Sequence, residues 1–370
     1  MKNKFLHIIF ASLFLGFSSS AITQNQELSD SVEHTVFLIG DAGGSKENSI
    51  KILDALLQQV KPIEKKSTII FLGDNIYPGG MPHKNDSDER KKAEKIAYQP
   101  TNLKQSKAKT YYIPGNHDWN NGSKNGLSHL LNEEQFFEKK LNDNGAFIPS
   151  NGCPGPIKIN ISNNLVLIAI DTQWWLHKHN KGNCDSITTS DIINNLKTIL
   201  NENKNKNVLV VGHHPFYSKG SHGGYYKLKK HIFPLTNINK NLYIPLPIIG
   251  SIYPLYRKWF GKTQDLAHPK YKKMINELVS VFEKHNKLIY AAGHEHNLQY
   301  HEKGNQHYII SGSGSKLSAV KRLKSPNFSA KQKGYFKLSY FKNGIILIET
   351  FGIIEGTKKL LFQKRILSLD

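Results

Sequence analysis

The segment AAGHEHNLQY, residues 291–300, places two histidines one residue apart directly after a glycine and a short apolar run. Imidazoles suit metal ligation, but two donors do not complete a site. The same punctuation recurs along the chain. The apolar runs TVFLIG, STIIFLG, TYYIPG, NVLVVG and KLIYAAG each end in glycine, and the residues that follow are Asp41, Asp74, Asn116, His213 and His294. A single Gly-Asp pair is an ordinary turn. Turn chemistry does not favour histidine twice, so the five endings together point to oxygen and nitrogen donors gathered around metal ions.

Donors this far apart in sequence need a fold that brings loop ends together. Helical periodicity is clear in SKENSIKILDALLQQV, where Ser45 reads as the N-cap, in SDIINNLKTIL and in YKKMINELVSVFEKH. The short continuous apolar runs between them predict sheet strands covered on both faces, hence an α/β fold. In open α/β sheets the functional crevice lies beyond the carboxyl ends of the strands. Five loops can therefore converge there, with His294 and His296 as one corner of the site.

The full set of blocks is GDAGG, GDNIYPGG, GNHDW, GHHPFYS and GHEHNLQY. In this order it resembles the calcineurin-like metallophosphoesterases, and within them the purple acid phosphatase branch of the tartrate-resistant type. The resemblance covers roughly residues 33–320. It implies a four-layer α/β/β/α sandwich with two mixed sheets and an active site at the strand C-terminal ends. It also implies that Asp41, Tyr77 and His296 hold one metal, that Asn116, His213 and His294 hold another, and that Asp74 bridges them. Many relatives carry a ligating histidine where this chain has Gly43, and Tyr77 compensates. A phenolate favours Fe(III), whereas imidazoles and a carboxamide suit a divalent Fe, Zn or Mn. His214 competes with His213 for the ligand position, and the family pattern favours His213, directly after Gly212. The implied reaction is hydrolysis of a phosphomonoester by in-line attack of a metal-bound hydroxide. His117 matches an outer-sphere histidine that could protonate the leaving group, with Asp118 fixing its tautomer. His222 falls where the tartrate-resistant type also has a histidine, but the acidic neighbour expected there is Ser221.

The rest of the chain bounds the setting. MKNK, the apolar run FLHIIFASLFLGF and SSSA read as a signal peptide over residues 1–21, which implies export. The remainder, 33–370, reads as one metallophosphoesterase domain with 225–270 as a lid or insertion. Loss of Lys2 and Lys4 with the leader lowers the net charge from +21 to +19, a surplus that draws anions, whether a small phosphorylated substrate, nucleic acid or an anionic membrane face. The charged stretch 83–109 reads as a solvated helix and not as a nucleic-acid arm. Cys153 and Cys184 are expected to form a disulfide in an exported chain. Trp174 and Trp175 read as packing residues, and His177 and His179 as exposed. The C-terminal runs GYFKLSYF, GIILIETF and KLLFQKRIL are expected to complete the second sheet. Residues 232–262 contain Pro234, Pro245, Pro247 and Pro254, which argues against a regular helix. That segment is also apolar and basic, so it either packs as a lid or gives a membrane a peripheral contact. The competing functions are a phosphodiesterase or nucleotidase on the same scaffold, and a non-catalytic envelope-binding protein.

Overall fold

The apolar runs become strands because β-branched and aromatic residues fit a pleated surface covered on both sides. The computed structural model describes residues 32–44, 46–101, 105–185, 188–239, 241–286 and 288–367. The leader 1–21 and the cap at Ser45 lie outside these residues. Strands β1 (Val32–Ile39), β2 (Ser67–Phe71) and β3 (Lys109–Tyr112) run parallel. Strands β4 (Ile157–Asn160), β5 (Leu165–Ala169), β6 (Asn207–Val211), β7 (Leu288–Ala292), β8 (Leu298–Lys303), β9 (Gln306–Ser311) and β10 (Phe328–Ala330) form a second sheet, in the order β10-β8-β9-β7-β6-β5-β4.

Three antiparallel C-terminal strands follow: β11 (Gly334–Phe341), β12 (Ile345–Ile354) and β13 (Thr357–Leu367). They extend the first sheet, not the second as expected, giving the order β13-β12-β11-β1-β2-β3. The reason is the edge of β1. With β2 on one side its other edge needs partners, and β11 pairs there from Val32 to Leu38.

Along β1, Phe37 and Ile39 point to one face while Val36 and Leu38 point to the other. The first pair packs under helices α1 (Lys46–Val60), α2 (Ser87–Thr101) and α3 (Gly126–Leu141). The second pair meets Leu167, Leu209 and Ile289 between the sheets. On the far face of the second sheet lie α4 (Thr172–Leu176), α5 (Thr189–Glu202) and, later in the chain, α8 (Pro269–Phe282), with α6 (Leu228–Ile232) and α7 (Ile249–Trp259) between α5 and α8. The result is the four-layer sandwich, and all five glycine-terminated strands open toward one crevice.

Other expectations divide. Cys153 and Cys184 are bonded, with Cα atoms 5.6 Å apart. Trp174 and Trp175 are buried in the core beneath α5 and α8, and His179 is exposed. His177, expected at the surface, is buried because it caps α4 and packs against the Trp119 ring, 4.6 Å between centroids. Residues 249–259 form a helix despite Pro254. Pro245 and Pro247 precede it, and Pro254, on its buried face, withholds only its own N–H from the helix.

Candidate metal centre

Three of the residues that follow the strand glycines adopt left-handed backbone: Asp41 (φ 55°), Asp74 (φ 53°) and His294 (φ 68°). Such conformations cost about 1–3 kcal/mol each away from glycine, and they collect at functional sites. The loops pack backbone to backbone. A Cβ on Gly43 would lie 2.4 Å from the Asn75 carbonyl carbon, so a side chain at 43 is excluded where the GDNIY loop carrying Tyr77 passes.

The donors form two adjoining groups. In the first, the Tyr77 hydroxyl lies 2.9 Å from Asp41 Oδ1, 3.1 Å from Asp74 Oδ2 and 3.2 Å from His296 Nε2. Asp41, Asp74 and His296 alone already offer three ligand atoms within 4.8 Å of one another. In the second, Asn116 Oδ1 lies 3.1 Å from His213 Nε2 and 3.0 Å from His294 Nδ1, and the two nitrogens are 3.3 Å apart. Asp74 Oδ1 lies 3.4 Å from His213 Nε2. Asp74 therefore turns one oxygen to each group. His214 points elsewhere, to Thr172 Oγ1 and Gln264 Oε1, which leaves His213 as the ligand candidate.

The surroundings fit cations at both groups. His213 donates from Nδ1 to the Leu72 carbonyl (2.8 Å), and His294 donates from Nε2 to the Gln264 carbonyl (2.9 Å). These outer bonds set the tautomers. The lone pairs of His213 Nε2 and His294 Nδ1 then face each other beside Asn116 Oδ1 and Asp74 Oδ1, with no hydrogen to share. A cation satisfies that arrangement. Burial, with His222, His214 and His213 nearby, holds His294 well below the usual imidazole range, so it stays a neutral donor. Burial alone would raise the Asp74 carboxyl, but His213, His117 and His296 bring it down to about 2. Burial, then Asp41 and Asp74, push the Tyr77 phenol well above its ordinary value. Its ionisation requires a highly charged cation in place of the proton.

Around the donors, His117 lies edge-on to Tyr77 at 4.5 Å. Its Nδ1 donates to the Pro78 carbonyl (2.6 Å), leaving Nε2 3.8 Å from Asp74 Oδ2. The carbonyl, not Asp118, sets this tautomer. Asp118 is fully buried and accepts instead from the backbone N–H groups of Asp74, Asn75, Ile76 and Gly115.

His222 packs on His294, with ring centroids 4.1 Å apart, and its acid partner comes from far along the chain. His222 Nδ1 lies 2.9 Å from Asp265 Oδ1, and Asp265 is itself gripped by Arg257. The missing acid at Ser221 is thus replaced. Sequence reasoning missed Asp265, although it is the first acid after Glu202. It also missed Glu295, which lies between His294 and His296 and is buried. Glu295 accepts from Ser218 Oγ and from the backbone of Ser221, His222 and Gly223, anchoring the His222 loop. Lys316 was missed as well; its ammonium lies 3.1 Å from the Tyr77 ring centroid. Beside His222 opens a cleft of about 600 Å³ lined by Lys178, His179, Tyr253, Arg257 and Lys262.

A family model described as calcineurin-like phosphoesterase matches residues 34–312. No curated protein sequence matches the chain. Among solved structures it is similar to GAP50, the anchor in the inner membrane complex of Plasmodium, with TM-score 0.57 and 16% identity over 92% of this chain and 90% of that one. It is also similar to the purple acid phosphatase PPD1 from yellow lupin (Lupinus luteus) seeds, with TM-score 0.53 and 13% identity over 90% of this chain and 53% of the lupin one. PhoD gives TM-score 0.52 and 10% identity over 92% and 72%. At these identities the likeness is one of fold.

Proposed function

We propose, from the premise that this chain belongs to the calcineurin-like phosphoesterase family, that it is an exported phosphatase hydrolysing phosphomonoesters at a pair of metal ions. The observation that carries this reading is the Asp74 carboxylate, which joins two complete donor groups through its two oxygens. Asp41, Tyr77 and His296 would hold a ferric ion, and Asn116, His213 and His294 a divalent iron, zinc or manganese. Bound there, the ions supply Lewis-acid polarisation of phosphoryl oxygens and activation of water.

The chain's own groups supply the rest. Lys178, Arg257, Lys262 and His222 around the cleft suit a dianionic phosphate. Lys316, over Tyr77, adds a cation at the ferric group. His117, with its Nδ1–H committed to Pro78, would as the imidazolium hand the proton on Nε2 to the leaving oxygen. Export is supported by the leader composition and by the disulfide.

Activity of the protein from residue 22 on p-nitrophenyl phosphate and on its bis-ester, with metal analysis, tests the reading. Faster turnover of the monoester with two metals per chain is expected. Preference for the bis-ester would replace it with a phosphodiesterase, and inactivity with both metals retained would favour a binding protein.

The ferric assignment has its own signature. The protein should show a visible phenolate-to-iron charge-transfer band, which Tyr77→Phe should remove while most metal stays bound by the remaining donors. A colourless protein carrying two divalent ions would refute it.

A further inference from the structure

The large apolar side chains that this fold leaves in water are gathered in one place. Of eighteen exposed among the described residues, twelve lie between Leu228 and Phe260. Helix α7 is inverted relative to a core helix. Gly250 and Pro254 face the protein, whereas Ile249, Ile252, Tyr253, Tyr256, Trp259 and Phe260 face solvent. At 3.6 residues per turn these six fall within an arc of about 120°. Ile252 is 63% exposed, Trp259 59% and Phe260 62%, and Ile248, just before the helix, is 84% exposed.

The arc is held outward by contacts on the opposite side. Gly250 sits so close to α6 that a Cβ would lie 2.2 Å from the His231 carbonyl oxygen. Ser251 Oγ meets His231 Nδ1 at 3.2 Å, and Arg257 is clamped to Asp265. Rotating the apolar side chains inward would break these contacts, so the segment does not bury its apolar face as a closed lid would.

Charge identifies what covers it. No acidic residue stands between Glu202 and Asp265, and residues 219–262 carry eight basic ones. An exposed apolar face on a segment whose own charged residues are all basic complements a continuous sheet of negative charge. Tryptophan and tyrosine on that face suit the boundary between headgroups and acyl chains. At 11 residues α7 is too short to cross a membrane, so its contact is peripheral. We propose that α7 and its flanks dock this protein onto an anionic lipid bilayer, the helix lying in the plane of the surface. This docking does not depend on the phosphatase reading. It also brings the cleft toward the lipid headgroups, because Tyr253, Arg257 and Lys262 of the same segment form one wall of it.

The experiment is co-sedimentation of the chain from residue 22, which keeps every described residue, with vesicles of phosphatidylserine and phosphatidylcholine or of phosphatidylcholine alone. Binding should need phosphatidylserine. It should be strong at about 0.1 M salt and weak near 1 M, where the Debye length falls from about 10 Å to about 3 Å. Combining Ile252→Ser, Trp259→Ser and Phe260→Ser should lower partitioning by about tenfold or more. The thermal unfolding midpoint should hold, because these side chains already stand in water. Protein that stays in the supernatant at low salt overturns the proposal. So does binding that the triple variant leaves intact, which places the contact elsewhere. Light scattering that shows self-association abolished by the triple variant, without vesicle binding, assigns the face to a second copy and also overturns it.

Discussion

Replacing His117 with alanine should lower kcat on alkyl phosphomonoesters by about 10²–10⁴-fold, the usual contribution of a positioned general acid. The loss on p-nitrophenyl phosphate should be smaller, since a good leaving group departs with little protonation. The ring's surroundings support this proposed role. Its Nδ1 is spent on the Pro78 carbonyl at 2.6 Å, and its Nε2 stands 3.8 Å from the Asp74 carboxylate that joins the two donor groups. The side chain is only partly buried, at 24% exposure, so truncation leaves no deep cavity. Metal content and unfolding midpoint should therefore match the wild type. Comparing the two esters decides the matter: equal losses on both would make His117 a group that positions the phosphate.

Five of the seven candidate donors were legible because each follows a strand-terminal glycine; His296 was legible from its place two residues after His294, and Tyr77 entered only through the resemblance. An α/β fold was legible because buried parallel strands are continuous apolar runs, and the resemblance supplied the four-layer arrangement. What stayed hidden depended on distant neighbours. The partner of His222 is Asp265, brought in by the loop after α7, and nothing near Ser221 announces it. The assignment of β11 to the first sheet depended on which edge of β1 was free, which pairing decides and composition does not. His177 read as exposed because its His-x-His pair follows no glycine turn, yet capping α4 turns its ring against Trp119. Pro254 argued against a helix locally, while the spacing of Ile249, Ile252, Tyr253 and Tyr256 carried the helical period. That signal was masked because the apolar stripe faces water and not a core.

Asp118→Ala should behave unlike His117→Ala, and the contrast separates two roles for the same block. If Asp118 served to orient His117, the two variants would share a loss of kcat with stability and metal content intact. The structure gives Asp118 another task. Its Oδ1 accepts from the Asn75 N–H at 2.8 Å, and its Oδ2 from Asp74 at 2.8 Å and Gly115 at 2.7 Å. The Ile76 N–H and the Asn75 amide also reach it, at 3.3 and 3.2 Å. One carboxylate thus ties the loop of Asp74 and Tyr77 to the loop of Asn116, so a donor from each metal group depends on it. Each buried donor left without an acceptor costs about 1–3 kcal/mol, and several would be stranded together. Asp118→Ala should therefore lower the unfolding midpoint markedly and release metal, with activity falling as a consequence of the loss of metal. Asp118→Asn, which keeps one acceptor oxygen but turns an amide N–H toward backbone donors, should fall between alanine and wild type. Metal analysis beside thermal unfolding reads the outcome: a stable, fully loaded Asp118→Ala protein would return Asp118 to the role of orienting His117.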